Sequence, residues 1–191
     1  VIVPKTYFND AIIGNSSMLG CITAKGELTR LFWPFVDYRQ QIDKFLCGIF
    51  NLCEQNSTMW LSSGDFQHCQ GYIEDTNIVE TLCVNRYKGL EVRQTDFVLP
   101  QKDVLIRHVE IKNTGNGIIE PAFILFSQSI STTDNKAGIL LDFDCDALIH
   151  YRHDNYLAIS ADREIFKFQL GNNAYESALF NDLRGFDSIG M

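Results

Sequence analysis

Basic residues are in short supply. Lys and Arg total 16 against 24 Asp and Glu, a formal charge of −8 over 191 residues. The basic side chains are scattered rather than grouped, so the chain lacks the Lys/Arg face that a phosphate backbone requires, and no nucleic-acid partner is expected. No apolar run approaches the roughly 20 residues that cross a bilayer as a helix, so no membrane partner is expected. The opening residues, with Pro4, Lys5, Asn9 and Asp10, lack the basic-then-apolar layout of a secretory leader. Chemistry-bearing signatures are missing too. There is no Gly-x-Ser-x-Gly elbow, P-loop or dinucleotide fingerprint, and no cofactor is expected. None of the six cysteines forms Cys-x-x-Cys, which removes the zinc-ribbon and thioredoxin-type readings.

What is present suits one ordinary core. Hydrophobic residues make up 46% and charged residues 21%, as in soluble globular proteins. The cysteines admit two readings. An even count fits disulfides in a secreted protein. But Cys21, Cys47, Cys53 and Cys83 lie in apolar or strand-like surroundings, which favours reduced core thiols and a cytoplasmic protein.

Short alternating or apolar runs, broken by turn residues, dominate the pattern. Met18–Thr23 and Leu28–Trp33 flank a turn at Lys25-Gly26, where glycine can take the positive φ of a tight hairpin. Asn77–Asn85 and Leu90–Leu99 form the clearest hairpin, hinged at Lys88-Gly89. In its second arm Val92, Gln94, Asp96 and Val98 share a face. Val104–Lys112 follows, with Leu105, Arg107, Val109 and Ile111 on one side. Asn113–Gly117 is a turn, and Ile118–Gln128 reads as a long returning strand. Beyond the polar loop at Ser129–Lys136, strands are expected at Gly138–Phe143, Ala147–Tyr151, Tyr156–Ser160 and Ile165–Leu170. Asp37–Asn51 fits helix or strand. Asn173 can cap one short helix over Ala174–Arg184. Strand–helix–strand alternation is missing, and so is any linker. The expectation is therefore mainly β: one large antiparallel β-sandwich domain over residues 1–191.

Four groups merit weighing as sites. Trp33, Phe35, Asp37, Tyr38 and Arg39 combine aromatic faces, on which sugar rings stack, with polar groups that hold hydroxyls. The competing reading is core filling, since aromatics bury large areas. Asp142, Asp144 and Asp146 would share one side of a strand. They suggest calcium or a glycosidase acid pair, but a solvated strand edge or loop is the simpler reading. His150 and His153 form His-x-x-His on a strand leading into a turn, with no third zinc ligand in view. His68-Cys69 reads as a polar turn beside a buried thiol, and His108 as a structural histidine within a strand. No metal site and no catalytic residue is assigned.

Two stretches carry a resemblance. The first is Ile13-Gly14-Asn15, Leu19–Thr23, Lys25-Gly26, Leu28–Trp33, Pro34 and Asp37. The second is Asp75–Thr81, Thr95-Asp96-Phe97 and Leu105–Glu110. Together they resemble the N-terminal β-domain of bacterial and archaeal glucoamylase-type glycoside hydrolases (family fifteen). The likeness covers about two-thirds of the chain and fades after Ser129. It implies a galactose-mutarotase-like β-supersandwich followed by an (α/α) barrel. In that family the barrel holds both catalytic glutamates and hydrolyses terminal α-glucosidic bonds with inversion. The implied partners are therefore a catalytic barrel of the same polypeptide and, through it, an α-glucan. The chain would then be a fragment of a longer protein whose barrel is absent. Trp33, Phe35, Asp37, Tyr38 and Arg39 become substrate-rim or domain-interface residues. An independent carbohydrate-binding module is the main alternative. A self-contained hydrolase using the Asp142, Asp144 and Asp146 cluster is a third.

Overall fold

The computed structural model describes residues 10–53, 58–129 and 137–170. All thirteen regular elements in it are β-strands, and every pairing between them is antiparallel. No helix among the described residues is long and apolar enough to cross a membrane. The helix expected over Ala174–Arg184 lies outside the described residues. Residues 10–53 and 59–129 form one compact unit, and residues 137–170 a second.

The larger unit is a sandwich of two sheets. The first follows the path β1 (Ala11–Gly14), β2 (Leu19–Ile22), β3 (Leu28–Phe32), β4 (Gln40–Asn51) and β10 (Pro121–Ser129), and the two-residue β5 (Met59–Trp60) also pairs with β4. The second is β6 (Gln67–Tyr72), β7 (Val79–Asn85), β8 (Leu90–Val98) and β9 (Leu105–Asn113), in that order. Gly26, marked for positive φ, takes it at 81°, and Gly89 at the Lys88-Gly89 hinge takes it too, at 61°. An added Cβ on Gly89 would stand 2.6 Å from the Gly115 backbone, so the turn is closed to larger residues on two counts.

Alternation decides what goes inside. Leu90, Val92, Gln94, Asp96 and Val98 of β8 are all buried, and so are Val79, Thr81, Cys83 and Asn85 of β7. The first sheet adds Ile13, Ile22, Leu28, Leu31, Ile42 and Ile49. Removing such a side chain from water is worth about 1.5–3 kcal/mol each. Asp37–Asn51, left open between helix and strand, contains the longest strand. From Cys47 to Asn51 every residue of β4 is buried. A strand covered on both faces and paired on both edges loses its alternation, which is why periodicity could not assign it.

The smaller unit is a three-stranded meander of β11 (Ala137–Asp142), β12 (Ala147–Arg152) and β13 (Asn155–Ser160). Two expectations fail locally. No strand forms over Ile165–Leu170. There the Ile165 amide donates to the Asp146 carboxylate at 3.0 Å instead of to a ladder, and Phe168 packs edge-on against Phe143. His68 and Cys69 are not a turn beside a buried thiol. Both lie on β6, with Cys69 exposed and His68 Nε2 2.7 Å from the Leu61 carbonyl. The sequence Gln-His-Cys-Gln-Gly-Tyr is too polar to read as a strand, and pairing with β7 makes it one.

Candidate functional site

The five rim residues lie on one loop, joining β3 to β4. Trp33 and Tyr38 are half-buried, while Phe35, Asp37 and Arg39 are exposed. The Trp33–Pro34 peptide is cis. Phe35 and Tyr38 pack edge to face with ring centroids 5.3 Å apart, and the Tyr38 amide donates to the Phe35 carbonyl at 3.0 Å. Gln41 pins the loop at both ends, donating to the Trp33 carbonyl at 3.1 Å and the Arg39 carbonyl at 3.0 Å. Phe35 therefore stands 51% exposed with Val36 at 49% beside it. Core filling does not describe this pair. They form an apolar tip flanked by charge.

Two further turns gather at the same end of the sandwich. Asn15 uses its whole amide. Its Oδ1 accepts from the Ser17 and Met18 amides at 2.9 and 2.8 Å, and its Nδ2 donates to the Leu99 and Lys102 carbonyls at 2.9 and 3.1 Å. The Ile-Gly-Asn motif thus ties the β1–β2 turn to the β8–β9 turn, across the two sheets. The Ser17 hydroxyl donates to Asp103, and the Trp33 indole N–H points, more loosely, at the same carboxylate. Together they hold the Asp103 carboxyl below its ordinary range. A carboxylate so held accepts hydrogen bonds and does not donate a proton, so it is no general acid.

Inside the sandwich lies a second polar constellation. Arg107 of β9 and Asp96 of β8 face each other in the core, with side chains 7% and 0% exposed. Arg107 Nε donates to Asp96 Oδ1 at 2.7 Å and Nη2 to Oδ2 at 3.3 Å. Gln94 completes the carboxylate's partners at 2.6 Å and also donates to the Gly26 carbonyl at 2.8 Å. On the opposite sheet the guanidinium meets the Cys47 sulfur at 3.5 Å and the Phe45 ring at 5.2 Å. Burial works against the Arg107 charge, but the Asp96 charge outweighs it and holds the guanidinium protonated. Burial pushes the Cys47 thiol up, and pushes Cys83 up to about 11. These thiols are inert packing groups, not nucleophiles. A closed ion pair without an open coordination position is structural chemistry. It joins two of the strands that carried the resemblance, at Thr95-Asp96-Phe97 and Leu105–Glu110.

The other candidates dissolve into local structure. Asp142 ends β11, and its Oδ1 accepts from the Asp144 and Cys145 amides at 3.0 and 3.1 Å. Asp146 turns the chain at φ 46° and binds the Ile165 amide. Asp142 therefore caps the hairpin turn and Asp146 holds the later segment, so the three carboxylates do not share a strand face. His150 is buried on β12, which pushes it down to about 4, and His153 sits in the following turn at φ 53°. His108 is exposed on β9. Among the described residues no three His, Cys, Asp or Glu side chains group as metal ligands. All six cysteines are free, with Cys21, Cys47 and Cys83 buried and Cys53, Cys69 and Cys145 exposed.

The sequence reading missed the tether of Asn15 and the Ser17–Asp103 contact, because both join turns 84 to 87 residues apart. A signal for the ion pair was available. Asp96 and Arg107 each interrupt a face that is otherwise apolar or uncharged.

No family model matches the chain. An uncharacterized glycosyl hydrolase of Methanocaldococcus jannaschii is 28% identical over 173 residues, covering 90% of this chain and 27% of that protein. The fold matches that of a bacterial glucoamylase crystallised with acarbose, at a TM-score of 0.62 and 10% identity, over 80% of this chain and 23% of the enzyme. The chain thus spans about a quarter of the length of each. The sequence likeness and the shared fold bear out the resemblance to a domain of the glucoamylase-like glycoside hydrolases.

Proposed function

We propose that this chain is the N-terminal, non-catalytic β-domain of a glucoamylase-like glycoside hydrolase acting on α-glucosides. Both of its compact units belong to that domain. It packs against a catalytic (α/α) barrel of the same polypeptide and orients it, and the loop Trp33–Arg39 lies at the domain interface or at the rim of the substrate site. The observation that carries this reading is the alignment of nine-tenths of the chain to about a quarter of an archaeal glycosyl hydrolase. The exposed Phe35–Val36 tip supports the interface assignment, since an apolar tip flanked by charge suits a contact with a polar rim. The three buried thiols support a cytoplasmic setting.

The test compares the chain with the polypeptide that contains it. The chain alone is expected to release no glucose from maltooligosaccharides, while the longer protein releases it as the inverted anomer. Turnover by the isolated chain would overturn the reading. A second reading, an independent carbohydrate-binding module, rests on the edge-to-face Phe35–Tyr38 pair beside Asp37 and Arg39. It predicts that the chain alone binds maltooligosaccharide by calorimetry and that Trp33→Ala abolishes binding without unfolding.

A further inference from the structure

The turn that leaves β9 is held firmly in its first half and loosely in its second. The Thr114 and Gly115 amides both donate to the Gly89 carbonyl, at 2.8 and 3.2 Å, and Gly115 shares its hydrogen with Asn113 Oδ1 at 3.0 Å. Asn113 Nδ2 then reaches over the turn to the Gly117 carbonyl at 2.7 Å. Between these anchors, the Asn116 side chain and the Gly117 N–H have no hydrogen-bond partner among the described residues. Both residues are exposed, and a Cβ built on Gly117 would meet nothing within 4 Å.

That combination has a chemical consequence. The side-chain carbon of an asparagine is an electrophile, and the backbone nitrogen of the next residue stands one ring closure away from it. Two things block the closure. One is a side-chain amide locked in hydrogen bonds. The other is a following N–H that is already engaged or crowded by its own side chain. Asn113 is blocked both ways, because its amide is bonded at both ends and the Thr114 N–H is spent on Gly89. Asn15 has its whole amide committed. Asn51 and Asn85 are buried, and each accepts backbone amides. Asn116 is blocked in neither way, and it is the one asparagine in the chain that precedes glycine, which has no Cβ to hinder the attack.

We propose that Asn116-Gly117 is a self-modification site, which converts through a cyclic imide to isoaspartate and aspartate. The Gly117 nitrogen gives up its proton to hydroxide and attacks Asn116 Cγ. The N–Cγ bond forms, the Cγ–Nδ2 bond breaks, and ammonia leaves. Water then opens the ring at one of its two carbonyls. Opening at the backbone carbonyl routes the main chain through Cβ and Cγ, as isoaspartate. Opening at the other gives aspartate. Water is the co-reactant, and nothing is oxidised or reduced. Either product adds one negative charge to a chain already at −8. Isoaspartate also adds a methylene to the backbone between Asn113 and the Gly117 carbonyl, so it disturbs the bond that spans the turn.

The experiment incubates the full polypeptide, folded, at mildly alkaline pH and follows it by isoelectric focusing and peptide mapping. An isoaspartyl methyltransferase with labelled S-adenosylmethionine is the probe for isoaspartate. Within residues 1–191 the first acidic form is expected to carry its change at residue 116. Isoaspartate should exceed aspartate there, and the rate should rise in proportion to hydroxide. Asn116→Gln keeps the amide but needs a larger ring, and should delete that form. Asn15 should convert at a measurable rate only when the chain is unfolded in denaturant, whereas Asn116 converts folded or unfolded. A folded protein that gains no isoaspartate at residue 116 would overturn the inference. So would a first acidic form that survives Asn116→Gln, or folded-state conversion of Asn15 as fast as that of Asn116.

Discussion

The sandwich manages its edges at β1 and β9 in different ways. At β1 the outward backbone is satisfied by side chains. The Tyr72 hydroxyl accepts from the Ile12 amide at 2.8 Å and donates to the Ile12 carbonyl at 2.9 Å, and Asn77 donates to the Gly14 carbonyl at 2.8 Å. Tyr72 ends β6 and Asn77 lies in the turn that follows it, so the plug also staples β1 to β6 and to that turn. No other chain can pair where those side chains sit. At β9 no side chain performs that service among the described residues, and the strand is held from beneath by Arg107. An edge plugged from its own fold is finished, whereas an edge secured only from below is still able to accept a neighbour.

The largest expected effect sharpens the second half of this comparison. Asp96→Ala leaves the Arg107 charge buried without its carboxylate, and should cost about 3–5 kcal/mol in chemical denaturation. Replacing Asp96 and Arg107 together by apolar residues of similar volume should recover most of that loss. If the single and double variants were equally unstable, β9 would not be held by the ion pair.

Next comes a control that involves neither edge. Burial of His150 in the smaller unit pushes its folded-state value down to about 4, against 6.5 for an exposed imidazole. A lowered histidine contributes stability that is present in full above the unfolded value. As pH falls from about 6.5 toward 4, the unfolded chain takes up the proton first, and at most about 3 kcal/mol is lost. His150→Gln should flatten that slope of stability against pH. A slope unchanged by the substitution would assign the acid sensitivity to other groups.

Smaller effects probe the stapled end. Asn15→Ala removes the side-chain bonds that hold the β1–β2 turn to the β8–β9 turn, and should lower stability by roughly 2 kcal/mol. Tyr72→Phe deletes the two bonds on the β1 edge and should cost about 1 kcal/mol, with faster exchange of the Ile12 amide. If Tyr72→Phe left that exchange unchanged, the plug would not be what closes the edge.

Much of this was legible along the chain. The β8 face of Val92, Gln94, Asp96 and Val98, and the β9 face of Leu105, Arg107, Val109 and Ile111, read correctly because a strand's period of two is a local property. Gly26 and Gly89 marked their turns because only glycine takes a positive φ there without strain. The candidate loop was legible as composition, and its exposure was not. Trp33, Phe35 and Tyr38 would suit a core equally well, and their surroundings come from residues distant in sequence. The carboxylates at 142, 144 and 146 were misplaced on a strand face because backbone amides captured Asp142 and Asp146.

The sequence by itself determined the β character, the hairpin turns and the likeness to glucoamylase-type hydrolases. Each of these is written in neighbouring residues, through alternation, turn chemistry and short motifs. Only the tertiary structure decided that Arg107 meets Cys47, that Asn15 ties two turns together, and that β1 is plugged by side chains while β9, among the described residues, is not. Those facts depend on which strands become neighbours across and between the sheets. Such pairings join residues 60 or more positions apart, and no local pattern encodes them.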